Sequence, residues 1–279
     1  MNPGYLSQID KIVDHALEED LGPGDITTSA IIDPSIKGRA RLSAREEIIL
    51  AGMEVFSRVF YRLDPEILVE CNYHDGDMVP DGDDIGIVKG SMRGILSGER
   101  TALNFLQHLS GIATLTRRYA EKTDPSRVRV IDTRKTTPGL RILEKYAVRL
   151  GGGINHRFGL FDGILVKDNH IAAAGSISKA LADIKAKVPH TLRIEVEVED
   201  TKGVEEAIGA GADAILLDNM SLKEIREAVS IARGRVLLEA SGGITLESID
   251  EISKTGVDLI SVGAITHSAR SVDISLEVI

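Results

Sequence analysis

Between Ile131 and His170 the chain carries seven Lys and Arg residues against four Asp and Glu, although its formal net charge is −10. A cluster of cations in an acidic chain suits a polyanionic ligand, because a cleft lined by one sign of charge focuses its field. Arg134 and Lys135 come directly after an apolar run that ends at Asp132. They pair a bidentate fork for carboxylate or phosphate with a compact point charge. His156-Arg157, just after Gly151-Gly152-Gly153, repeats the combination. Lys167 closes another apolar run and needs an anion there, either Asp168 beside it or a ligand. Arg141, Lys145 and Arg149, spaced by four, read instead as a solvated stripe on a helix opened by Thr137-Pro138 and closed by the triple glycine.

Two acids stand among these bases. Glu197 and Asp218 end successive apolar runs, where carboxylates can accept sugar hydroxyls, hold Mg²⁺ with its waters, or stabilise a cationic transition state. They could also simply neutralise Lys167 and Arg157. Glu195 and Glu199 share the strand parity of Glu197, so parity does not choose among the three. Ser241-Gly242-Gly243 and Gly263 end two later runs; glycine turns there let backbone N–H groups approach a phosphate.

These residues need elements to bring them together. Apolar, β-branched runs recur at Val128–Asp132, Gly163–Asp168, Arg193–Val198, Ala214–Asp218, Val236–Ser241 and Leu259–Gly263, each followed by an amphipathic stretch. From Glu197 to Asp218, to Ser241 and to Gly263 the steps are 21, 23 and 22 residues, the spacing of successive strand–helix units. Six parallel strands are fewer than the eight of a closed α/β barrel, yet their C-terminal ends would still converge on one face. The first 110 residues have no such beat. Helical spacing from Ile9 to Leu17 stops at Gly22-Pro23-Gly24-Asp25, and short strand-like runs (40–42, 48–51, 68–71) suggest an antiparallel meander. A long helix then follows, with Ser97 as its expected N-cap and Leu103, Leu106, Leu109 and Ile112 on its apolar face.

Composition excludes several classes. The chain has 279 residues, 43% apolar and 27% charged, enough for one large or two moderate domains. Its pI near 5.3, with 4% aromatic residues and no Trp, argues against nucleic acid or an anionic membrane as the main partner. Cys71 is the single cysteine, so no intrachain disulfide forms. The first residues show no secretory pattern and no apolar run is long enough to span a bilayer, so a cytoplasmic location is expected.

The ordered motifs Asp132-Thr133-Arg134-Lys135-Thr136-Thr137-Pro138-Gly139, Glu144-Lys145-Tyr146-Ala147-Val148, Asn155-His156-Arg157, Lys167-Asp168-Asn169-His170, Leu217-Asp218-Asn219 and Ser241-Gly242-Gly243 resemble those of the quinolinate phosphoribosyltransferase family. Upstream, Gly24-Asp25-Ile26-Thr27-Thr28 and Gly98-Glu99-Arg100-Thr101-Ala102-Leu103-Asn104 extend the resemblance over essentially the whole chain. It implies an α/β fold with an N-terminal α/β sandwich domain over 1–112 and an incomplete α/β barrel, of the type II phosphoribosyltransferase kind, over 113–270. The tail 271–279 could return to the first domain. It also implies an enzyme of NAD biosynthesis that converts quinolinate and phosphoribosyl pyrophosphate to nicotinate mononucleotide, pyrophosphate and CO₂ with Mg²⁺.

Carried over by position, Arg134, His156, Arg157 and Lys167 would hold the quinolinate carboxylates, joined by Arg100 from the second chain of a homodimer or higher oligomer. Lys135 and Lys167 would face the pyrophosphate. Glu197 and Asp218 would meet the ribose and its metal, Ser241, Gly242, Gly243, Gly263, Ala264 and His267 would receive the 5′-phosphate, and Thr133 and Ile265 complete the expected substrate-binding set. Lys135, Lys167, Glu197 and Asp218 are the expected catalytic residues. Three rivals remain at this point: a related protein associated with molybdenum transport, a barrel lyase forming a Schiff base on Lys167, and a non-catalytic anion-binding or scaffold protein for which Glu197 would be dispensable.

Overall fold

The structure, a computed structural model, describes residues 3–279. The chain divides into two compact units, one formed by 1–115, 137–151 and 269–279, the other by 116–136 and 152–268. The first family of elements is α1 (Pro3–Leu21), α2 (Ile26–Ile31), β1 (Lys37–Ala44), β2 (Ile48–Ile49), α3 (Met53–Leu63), β3 (Leu68–Cys71), β4 (Met78–Val79), β5 (Asp84–Ser91) and α4 (Met92–Ala120). Then come β6 (Arg129–Ile131), α5 (Arg141–Leu150), β7 (Ile164–Val166), α6 (Asp168–Ala174), α7 (Ile177–Lys185), β8 (Ile194–Val198), α8 (Thr201–Gly209), β9 (Ala214–Asp218) and α9 (Leu222–Ala232). The chain closes with β10 (Leu237–Ser241), α10 (Ile249–Ser253), β11 (Leu259–Ser261), α11 (Ala264–His267) and β12 (Ile274–Val278).

In the first unit β1 lies between β5 and β12, all antiparallel, and β3 pairs on the far side of β5. This is not the expected meander. Strand β2 pairs with β4 in a separate two-stranded ladder, and the central neighbours of β1 are distant in sequence. Phe56 and Phe60 on α3 pack edge to face, with ring centroids 5.1 Å apart, as the aromatic centre of this core. Helix α4 begins at Met92, directly after β5, so Ser97 lies inside the helix and is not its N-cap. Its hydroxyl donates to Asp25 Oδ2 (3.0 Å), which gives it a partner away from the helix backbone. The first turns of α4 pack closely: a Cβ on Gly98 would lie 2.8 Å from Leu63 Cδ1, and one on Gly94 2.6 Å from Ile67 Cδ1. Helix α5 starts at Arg141, four residues after Thr137, and Lys145 on it is buried. The expected solvated stripe of Arg141, Lys145 and Arg149 is thus broken at its middle member.

The second unit holds a parallel sheet in the order β6-β11-β10-β9-β8-β7. The sheet is open, with β6 and β7 as its edge strands. Parallel strands covered on both faces read as continuous apolar runs, and β9 shows this in Ala214-Ile215-Leu216-Leu217. In register, Asp218 faces Ser241, while Glu197 and Glu239 both face Leu216 from either side. Residues opposite one another in a parallel sheet point the same way. Glu197, Glu239, Asp218 and Ser241 therefore share one face of the sheet, with Asp218 and Ser241 at its C-terminal end. No described helix is long and apolar enough to cross a membrane.

Candidate active site

At the C-terminal ends of β6 to β11 lies a basin of about 730 Å³, lined throughout by residues of the second unit. On one wall are Arg134 and Lys135, in the loop after β6, where the Lys135 N–H donates to Thr133 Oγ1 (3.0 Å). His156, Arg157 and Lys167 form the next stretch, and Glu197 and Asp218 end β8 and β9. Ser241, Gly242 and Gly243 follow β10; Gly263, Ala264 and His267 follow β11. Residues spread over 135 positions of chain thus meet in one hollow because six strands end there.

Two predicted site residues are not brought there. Arg100 lies exposed on α4, in the other compact unit, and Ile265 is wholly buried, its side chain committed to packing. Residues added by the structure include Asn219, Glu239 and Ser261. Glu239 and Ser261 have the strand parity of Ser241 and Gly263 one pleat deeper, and an acid inside the apolar run Leu237–Ala240 was the available signal for Glu239.

Lys167 finds its anion in Glu197, with Nζ 2.8 Å from Oε2, rather than in Asp168 beside it. The lysine side chain is 46% exposed, so the pair is weak and its partner exchangeable. The Lys167 backbone N–H donates to His170 Nδ1 (2.9 Å), which fixes the start of α6 and the root of the lysine. Arg157 is more deeply set. Its Nη1 donates to the Gly163 carbonyl (2.9 Å), while its buried Nε has no hydrogen-bond partner. Burial, and then the neighbouring Arg134 cation, lower the hold of its guanidinium on its proton. An anion placed between the two arginines relieves both effects.

The glycine turns are structural requirements. Gly242 has φ +98° and a Cβ there would sit 2.1 Å from Asn219 Oδ1, so the turn after β10 closes only on glycine. Asn219 itself is left-handed, with its N–H donating to the Ser241 carbonyl (2.9 Å). A Cβ on Gly263 would lie 3.1 Å from His267 Nε2 and 3.4 Å from Lys135 Cδ, so backbone and base approach closely here. Thr266, buried, donates its hydroxyl to the Lys135 carbonyl (2.8 Å) and so ties the basic loop to this turn.

Below the basin His156, Glu195 and Glu239 bring one nitrogen and two carboxylate oxygens within 4.8 Å of one another. His156 Nδ1 accepts the Arg157 backbone N–H (2.6 Å), so the ring proton sits on Nε2, which faces Glu195 Oε2 at 3.0 Å. A protonated nitrogen is no metal ligand, and this trio does not fit a divalent ion. Glu197 and Asp218 do offer the hard carboxylate oxygens that Mg²⁺ takes alongside phosphate oxygens and water.

The profile described as "Quinolinate phosphoribosyl transferase, C-terminal domain" matches residues 112–277, and the corresponding N-terminal domain profile matches 25–110. A Bacillus subtilis protein named "Probable nicotinate-nucleotide pyrophosphorylase [carboxylating]" is 46% identical over 97% of this chain and 93% of its own length. The crystal structure of NadC from Streptococcus pyogenes superposes with a TM-score of 0.94 at 46% identity, covering 99% of this chain and 97% of that one. The nicotinate-nucleotide pyrophosphorylase of Francisella tularensis gives 0.92 at 45% identity, over 98% and 96%.

Proposed function

The chain belongs to the quinolinate phosphoribosyl transferase family, and on that premise we propose how its basin performs the family's reaction. The chain is an enzyme of NAD biosynthesis, a phosphoribosyltransferase that converts quinolinate and phosphoribosyl pyrophosphate to nicotinate mononucleotide, pyrophosphate and CO₂. What carries the site assignment is the meeting of Arg134, Lys135, Arg157 and Lys167 with the glycine turns at 242–243 and 263 around one hollow.

In this reading Arg134, Arg157 and Lys167 grip the two carboxylates of quinolinate, with His156 at their base. The unpaired Arg157 Nε is a donor awaiting an acceptor. Thr133, Lys135 and the Lys167 ammonium face the pyrophosphate. Ser241, Gly242, Gly243, Gly263, Ala264 and the backbone of Ile265 receive the 5′-phosphate with His267. Glu197 and Asp218 hold the ribose hydroxyls and, with pyrophosphate oxygens, Mg²⁺, which supplies countercharge to the leaving group when bound.

Substrate binding displaces Lys167 from Glu197, freeing the carboxylate as positive charge develops at the sugar C1′. The pyridine nitrogen takes that carbon as the bond to pyrophosphate breaks, with the departing negative charge carried by pyrophosphate. The ring is now a pyridinium, so the adjacent carboxylate leaves as CO₂, its bonding electrons stay on the ring carbon, and that carbon takes up a proton. Holding two mutually repelling anions in register contributes up to roughly 7–11 kcal/mol. A Schiff base on Lys167 lacks the desolvated amine it would need, since the side chain is half exposed and ion-paired.

Arg100, exposed and outside the hollow, is assigned to the second subunit's site in a homodimer. The assignment is tested by Arg134→Ala and Lys167→Ala. Each should lose quinolinate-dependent release of CO₂ by about 100-fold or more while melting within a few degrees of wild type. Unaltered turnover in either variant would remove that residue from the site.

A further inference from the structure

We propose that Glu195 is a positioning residue for quinolinate, holding His156 so that His156 in turn holds Arg157. The proposal rests on the reading of this basin as the quinolinate site. Glu195 and Glu197 point from the same face of β8, but Glu195 lies one pleat deeper, about 7 Å further from the strand end. There it cannot reach the mouth of the basin. It is buried, and its Oε2 accepts the His156 Nε2–H at 3.0 Å.

The direction of that bond is fixed from the other side of the ring. His156 Nδ1 accepts the backbone N–H of Arg157 at 2.6 Å, and a nitrogen that accepts bears no proton. The imidazole is therefore a bridge whose two ends are both used: Glu195 sets its rotation, and the ring sets the backbone of Arg157. Asp132 supplies the remaining anchors, accepting the His156 backbone N–H on Oδ1 (2.8 Å) and the Asn155 side-chain amide on Oδ2 (2.7 Å). Segment 155–157 is thus held at its amide, its backbone and its ring. Arg157 emerges from it with Nη1 on the Gly163 carbonyl and Nε left for a ligand. A guanidinium that must meet a carboxylate in a fork is sensitive to small rotations of its root.

A carboxylate kept for packing alone would be an odd choice at this depth. Glu239, on the neighbouring side of His156 with Oε2 3.8 Å from Nε2, is a second buried acid, and each makes the other harder to bury. Replacing Glu195 should therefore not harm the fold in proportion to its effect on substrate. The bridge runs from Glu195 through His156 to the backbone of Arg157, on the quinolinate wall of the basin, so the larger effect is expected on quinolinate.

The experiment compares Glu195→Met, which removes the acceptor, with Glu195→Gln, which keeps an acceptor oxygen for His156. E195M should raise KM for quinolinate about 10–100-fold with KM for phosphoribosyl pyrophosphate within about twofold of wild type, and E195Q should recover most of that loss. An unchanged quinolinate KM in E195M, an equal rise for both substrates, or no recovery in E195Q would each overturn the proposal. Should E195M fail to fold, imidazole nitrogen shifts of the wild-type chain decide. An Nε2-protonated His156 agrees with the bridge, and an Nδ1-protonated ring refutes it. Quinolinate turnover by the wild-type chain in the same assay separates failure of this proposal from failure of the site assignment.

Discussion

Thr266→Val isolates the tie between the two loops proposed to handle phosphoribosyl pyrophosphate. Valine keeps the shape of the side chain and replaces only the hydroxyl, which donates to the Lys135 carbonyl at 2.8 Å, with the Gly263 carbonyl as second acceptor at 3.2 Å. The residue is 2% exposed, so water cannot replace the lost donor at its own position. A neutral hydrogen bond of this kind contributes about 0.5–1.5 kcal/mol, and an orphaned carbonyl costs about 1–3 kcal/mol, less whatever solvent reaches it through the exposed Lys135 loop. A net loss of about 1–2 kcal/mol follows, which for a domain of this size lowers Tm by about 2–8 °C. The functional effect should be selective. Freed from α11, the Lys135 backbone would shift the ammonium proposed to face pyrophosphate, so KM for phosphoribosyl pyrophosphate should rise about tenfold while KM for quinolinate moves little. Thr266→Ser should restore both stability and KM. Thermal melts and steady-state kinetics on the three proteins decide the matter. A valine variant with wild-type Tm and wild-type KM for phosphoribosyl pyrophosphate would refute the tie.

Two further outcomes test other parts of the account. Burial, and then the Glu195 carboxylate, push the Glu239 carboxyl well above the ordinary glutamic range, so the folded chain retains a proton that the unfolded chain releases. Stability is then fully present below the unfolded value and falls as pH rises toward the folded one, at no more than about 1.4 kcal/mol per pH unit for one proton. Glu239→Gln should flatten that fall, with a Tm advantage over wild type that grows from pH 5 to 8; an advantage constant with pH would contradict the assignment. Separately, inactive Arg100→Ala and Lys167→Ala chains, unfolded and refolded together, should recover about a quarter of wild-type activity if the proposed homodimer shares its sites, since half of such dimers would be mixed, each with one intact site. Absence of recovery would place Arg100 outside the shared site.

Much of the candidate site is legible in the sequence because chain rhythm and chemistry coincide there. Each apolar run of the second half ends in Asp132, Lys167, Glu197, Asp218, Ser241 or Gly263, and parallel strands must gather such ends. The antiparallel sheet of the first unit is much less so. Strand β1 pairs with β5 and β12, and no local signal in Lys37–Ala44 names partners so far along the chain. Ser97 looks like a helix cap because serine commonly is one, whereas here tertiary contact with Asp25 uses its hydroxyl. Lys145 looks solvated by its spacing with Arg141 and Arg149, yet α5 turns it inward beside the buried Glu144. Glu239, an acid inside an apolar run two residues before Ser241, offered a signal, but only the fold shows that it is buried beside His156.

The most direct test measures pyrophosphate and CO₂ released by the purified chain with phosphoribosyl pyrophosphate, Mg²⁺ and either quinolinate or nicotinate. The arrangement of Arg134, Arg157 and Lys167 predicts that quinolinate yields equal amounts of both products while nicotinate yields neither. Turnover of nicotinate without turnover of quinolinate would contradict it.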